Sequence, residues 1–125
     1  MAIKGVYERM NKKRMNINQK LDSGAYTEDD LIEYLDSNAP ILLYKVAKLI
    51  VLNSIKTDKI IKKLYDISNK LEMEYSILGY YKIGHLAMST LIKLGISSDD
   101  IFAKIVLDEF EKETVINFER DSDWN

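Results

Sequence analysis

The sequence predicts a single all-α domain of about six antiparallel helices, and three observations carry that reading. One proline and five glycines in 125 residues leave few natural breaks, which favours helices over a strand-and-turn chain. Apolar residues return every three or four positions from Ile3 to Ile116. Hydroxyl and acidic residues precede most of these runs, where helix N-termini need acceptors for unpaired backbone N–H groups.

The first run, about Ala2–Leu21, carries Ile3, Val6, Met10, Ile17 and Leu21, and Gly24 suits its C-terminus. Thr27 caps the second helix. Glu28, Asp29 and Asp30 favour its positive dipole end, and Tyr26 can staple onto Leu31. Leu31, Ile32 and Leu35 then face inward, while Asp29, Asp30, Glu33 and Asp36 face out. Pro40 restarts the chain in a first turn. The third helix, through about Asn53, is apolar nearly all round, so a central, buried position is expected for it.

Thr57–Asp58 opens a fourth helix with Ile60, Ile61, Leu64, Tyr65, Ile67 and Leu71, and a break falls near Glu72–Ser76. A fifth helix is expected from Ile77 through Leu94, closing at Gly95. Ser97 or Ser98 caps a sixth, with Ile101, Phe102, Ile105, Val106 and Phe110 on its apolar face. Residues 1–118 form the expected domain, and the polar tail Glu119–Asn125 is expected to fray. Short connections imply antiparallel neighbours.

Composition limits the function classes. A chain this long buries roughly two thirds of its unfolded surface, enough for one core. Without cysteine there is no disulfide framework, thiolate metal site or cysteine nucleophile, which fits a reducing, cytoplasmic setting. Lys4, Glu8 and Arg9 occupy the place of a signal peptide's apolar stretch. The most apolar segment, Ala39–Ile55, is interrupted by Lys45 and Lys48 and is shorter than the ~20 residues that cross a bilayer, so no membrane association is expected.

Charge is segregated. Met1–Leu21 holds six basic residues against Glu8 alone, Asp22–Asn38 has six acids and no base, and Asp99–Asn125 has nine acids. A net charge of −2 argues against a general polyanion binder. Lys12, Lys13 and Arg14 could contact phosphates, which leaves an alternative reading as a nucleic-acid-associated regulatory protein using the basic first helix.

Catalytic, cofactor and metal chemistry find no constellation. His85 is the only histidine, and its place on a core-forming helix suits a buried, hydrogen-bonded side chain. No nucleophile elbow or phosphate-cradling glycine loop is present. Glu109 and Glu113 would share a helix face, but dimetal carboxylate sites also need Glu-x-x-His, which is missing. Gly79 and Gly84, read as lying inside the fifth helix, suit close backbone approach. Eight tyrosines are left, of which Tyr75, Tyr80 and Tyr81 cannot all point inward. Together with Asp29, Asp30, Glu33 and Asp36 they form the expected partner-binding residues, because tyrosine beside charge is a common hot-spot composition.

Ile55–Leu64 lies over Ile96–Ile105 at a spacing of 41, with Val46, Ala47, Ile50 and Val51 falling on Ala87, Met88, Leu91 and Ile92. This two-helix period, spanning Thr27 to Phe110, resembles the HEAT and armadillo α-solenoids. The resemblance implies a stack of helical hairpins; an irregular helical bundle is the alternative. Small, acidic, cysteine-free helical proteins rich in Lys, Ile and Asn also resemble bacterial and phage immunity proteins. That likeness implies a non-enzymatic partner that covers a toxin or other basic protein.

Overall fold

The computed structural model describes residues 16–78 and 81–121. Of the expected first helix only the end, α1 (Ile17–Ser23), falls within them; residues 1–15 and 122–125 lie outside. The chain continues through α2 (Glu28–Tyr34), α3 (Pro40–Leu52) and α4 (Asp58–Ile67). A 3-10 turn (Met73–Tyr75) and a short antiparallel hairpin, β1 (Ser76–Leu78) and β2 (Tyr81–Lys82), precede α5 (Ile83–Lys93), α6 (Ser98–Lys104) and α7 (Glu109–Arg120). The described residues therefore form an all-α fold of seven helices with one two-stranded hairpin. None of these helices is long and apolar enough to cross a membrane.

Local chemistry explains most boundaries. Around the start of α1 the side-chain oxygens of Asn16 and Gln19 each accept the other's backbone N–H, and those of Thr27 and Asp30 do the same for α2. Both are reciprocal capping boxes. Thr57, Ser97 and Asp108 cap α4, α6 and α7.

Two boundaries differ from expectation. The helix expected from Ile77 begins at Ile83, and Ile77 belongs to the hairpin. Isoleucine and tyrosine fit a pleated ribbon as well as a helix, and a glycine between such residues argues against an unbroken helix. The single helix expected after Ser97 is two, because Ile105 turns extended (φ −114°, ψ 123°) and Asp108 Oδ1 accepts from the Glu111 N–H at 2.8 Å to start a new helix. Val106 and Phe110, assigned to the apolar face, are consequently 99% and 57% exposed. The last helix also runs on to Arg120, past the expected start of the tail.

The central helix is α5, and not α3. All residues from Ile83 to Leu91 are buried, and α5 touches α3, α4, α6 and α7. By contrast α3 leaves Ile41 and Leu52 about four-fifths exposed and buries only the face with Leu43, Val46, Ala47 and Ile50. Uniform apolarity did not distinguish the two, because α5 carries His85, Ser89 and Thr90 in its buried surface. Between α5 and α7 three contacts keep the same order along both helices: His85 to Glu111, Ser89 Oγ to the Val115 carbonyl (3.2 Å), and Lys93 to Glu119 (3.7 Å). Each step is one helical turn, so these two helices run side by side in the same direction. They are separated in the chain by α6, so the antiparallel pairing expected of successive helices does not apply to them. Phe118 closes the far side against Tyr44 and, edge-on at 4.6 Å, Tyr81.

The 41-residue spacing has a structural counterpart in the turns. α3 ends with Ser54 at φ 50° and Ile55 N–H donating to the Ile50 carbonyl at 2.9 Å. α5 ends with Gly95 at φ 97° and Ile96 N–H donating to the Leu91 carbonyl at 3.1 Å. Both are Schellman closures with an apolar residue on each side of the bond. Ser54 holds a left-handed conformation that glycine adopts without strain, so Ser54→Gly should raise stability by about 0.5–1 kcal/mol in urea unfolding. Gly84 behaves as close approach requires: a Cβ there would meet the Ser68 carbonyl oxygen at 2.5 Å and Leu71 Cδ2 at 2.7 Å. Gly84→Ala should destabilise by about 2–3 kcal/mol in the same measurement.

Candidate functional site

The seven residues assigned to partner binding separate into three groups. On α2, Asp30 Oδ2 accepts the Thr27 N–H at 2.9 Å and belongs to the cap. Asp36 meets Lys63 of α4 at 2.5 Å, and that lysine is only 20% exposed, so the pair ties α2 to its neighbour. Asp29 sits 3.9 Å from Lys59 with both side chains more than two-thirds exposed, a loose contact worth little in water. Glu33 is exposed, and its carboxylate has no ion-pair partner among the described residues. Leu31, Tyr34 and Leu35 anchor the opposite face in the core. α2 thus presents Asp29 and Glu33 outward from a helix fixed by its cap and its buried face.

The tyrosines are elsewhere. Tyr75 is half-buried with the Lys70 ammonium 5.5 Å from its ring centroid, past the end of α4, whereas Asp29 and Asp36 meet Lys59 and Lys63 within that helix. Tyr81 is half-buried against Phe118, and Tyr80 lies outside the described residues. Among the described residues no hydrogen bond, ion pair or ring contact joins these tyrosines to the α2 acids. The basic run Lys12, Lys13 and Arg14 also lies outside the described residues.

Sequence reasoning missed the counter-ions Lys59 and Lys63, which were legible as an i, i+4 pair on α4. It also missed Glu111, which no local signal could link to a histidine 26 positions away. His85 is fully buried. Its Nδ1 accepts the Lys82 backbone N–H at 2.9 Å, and Nε2 faces Glu111 Oε2 in a short contact. Since Nδ1 accepts, the ring is neutral with its proton on Nε2, donating to the carboxylate. Burial holds the imidazole below its usual pKa, against the opposing pull of Glu111 and with help from the Lys82 charge. With both nitrogens engaged and no exposed edge, this imidazole has no free position for a substrate.

The surface also carries an open groove of about 430 Å³ between α4 and α6, floored by Ile61, Tyr65 and Ile105 and walled by Asp66 and Lys104. Lys104 lies 4.6 Å from the Tyr65 ring centroid, and burial, then Asp100, pushes the Tyr65 phenol upward. Among the described residues, no three acidic, histidine or cysteine side chains converge as a metal site would require. Removing the carboxylate at position 111 leaves a buried Nε2–H unpaired, so Glu111→Ala should cost about 1–3 kcal/mol of stability by chemical denaturation. Compared with protein-family models, curated proteins and solved structures, the chain finds no match in any of the three.

Proposed function

We propose that this chain is a non-enzymatic protein-binding module of the immunity or antitoxin kind, acting in the cytoplasm on a basic partner such as a toxin through the acidic outer face of α2. The observation that carries the reading is the exposure of Asp29 and Glu33 on a helix held in place by Asp30 in its cap and by Asp36, just past its end, on Lys63. Exposed carboxylates on a fixed frame steer a basic surface toward them, and a preordered helix loses little conformational freedom when it is covered. The two half-buried tyrosines act from within, by packing the segment before α5, and contribute to the surface only through their exposed edges.

The division of labour among the acids dictates the test. Asp29→Lys with Glu33→Lys reverses charge while sparing the cap and the Lys63 ion pair. The double variant should keep the helical circular-dichroism spectrum, with a melting temperature lowered only slightly by the loss of one first-turn acid and of the loose Lys59 contact. In affinity capture from the host at physiological salt it should lose the partner that the unaltered chain retains. Undiminished capture of the same partner contradicts the proposal.

A further inference from the structure

We propose that His85 is an acid-sensitive latch: a proton arriving at Nδ1 displaces the Lys82 amide and releases strand β2 from the first turn of α5, while α7 stays docked through Glu111. The ring joins three elements. Nδ1 holds the last residue of β2, the ring itself rides on the first turn of α5, and Nε2 holds α7.

The two nitrogens respond differently to acid. An imidazolium carries N–H on both nitrogens, so Nε2 keeps its bond to the Glu111 carboxylate. Nδ1–H, however, then points at the Lys82 N–H, and two donors cannot share one position. The ring also stands in the first turn of α5, where the helix dipole opposes positive charge. The titratable groups acting on it are Glu111 from α7, which favours the imidazolium, and Lys82 from β2, which opposes it. Among the described residues its other polar neighbours do not titrate: Ser89 lies one turn on, and the Ser68 and Lys70 carbonyls lie beside Gly84. A ring without solvent exposure gains its proton only when the strand lifts, so acid acts by trapping the lifted state.

The sign follows from linkage. In the latched state burial holds the imidazole below its ordinary value; in the lifted state that restraint is relieved while Glu111 still favours the imidazolium, so the ring titrates higher than when latched. Well above the lifted-state pKa neither state is protonated and the latch is pH-independent. As pH falls through it, the lifted population rises by up to tenfold per pH unit until lifting is complete. The segment freed is the one whose Tyr81 ring packs on Phe118, so acid reaches the aromatic contact through a single side chain.

Being the only histidine, His85 gives one set of ring resonances, and the test uses the full chain by nuclear magnetic resonance between pH 7.5 and 5. Ring nitrogen shifts should report the Nε2–H tautomer, and the ring should titrate below the ordinary value. Amide exchange at Lys82, corrected for its intrinsic pH dependence, should lose protection by up to tenfold per unit as the pH falls through this range. The Leu86–Leu91 amides should not follow it. His85→Gln, whose amide can accept from Lys82 and donate to Glu111, should flatten the profile. A ring pKa at or above the ordinary value overturns the latch, as does an unchanging Lys82 protection. So does loss of protection at Lys82 and throughout α5 together. The wild-type ring titration and exchange profile decide the matter if the glutamine variant does not fold.

Discussion

A helix surrounded by protein cannot turn to water for its polar side chains, and α5 carries four of its buried polar or unsubstituted positions within nine residues. Gly84, His85, Ser89 and Thr90 are each accommodated in a specific way. Gly84 lets the Ser68 carbonyl approach, His85 is clamped at both nitrogens, Ser89 bonds α7, and Thr90 returns to the Leu86 carbonyl at 2.7 Å. An unsatisfied buried group costs about 1–3 kcal/mol, a large share of the stability of a domain this size. The same bonds fix which neighbour lies where. The polar contacts from His85 to Lys93 set the register of α7, because sliding it by one residue would carry Glu111 off the imidazole.

The surface obeys a related logic. Acids that read as one solvated stripe in α2 divide between structure and exposure. Asp30 completes a cap and Asp36 binds a largely shielded lysine, whereas Asp29 and Glu33 stay exposed. Substituting the whole stripe would confound folding with recognition, and the capping box explains why.

Most of the helical framework was legible because local signals dominate it. Thr27, Thr57 and Ser97 cap where hydroxyls precede apolar runs, and Gly24 and Gly95 close helices in the left-handed region. Legibility failed where tertiary contacts decide. Ile77 fits either period and lies in a ribbon, and Asp108 was counted among surface acids although it starts α7. The central helix was misplaced because apolarity measures how much a helix could bury, whereas enclosure depends on its neighbours. α3 is the more apolar and yet exposes both ends. Of the candidate site, the outward acids were readable from helical spacing. Their lysines and the Glu111 partner of His85 depend on pairings between distant segments, which periodicity does not encode.

Enclosure of α5 is the claim on which the account rests, and native-state hydrogen exchange across the chain tests it most directly. The slowest amides should lie at Leu86–Leu91 and exchange only through global unfolding, with those of α3 opening earlier. If the slowest set lies in α3 and α5 opens first, the hub has been assigned to the wrong helix.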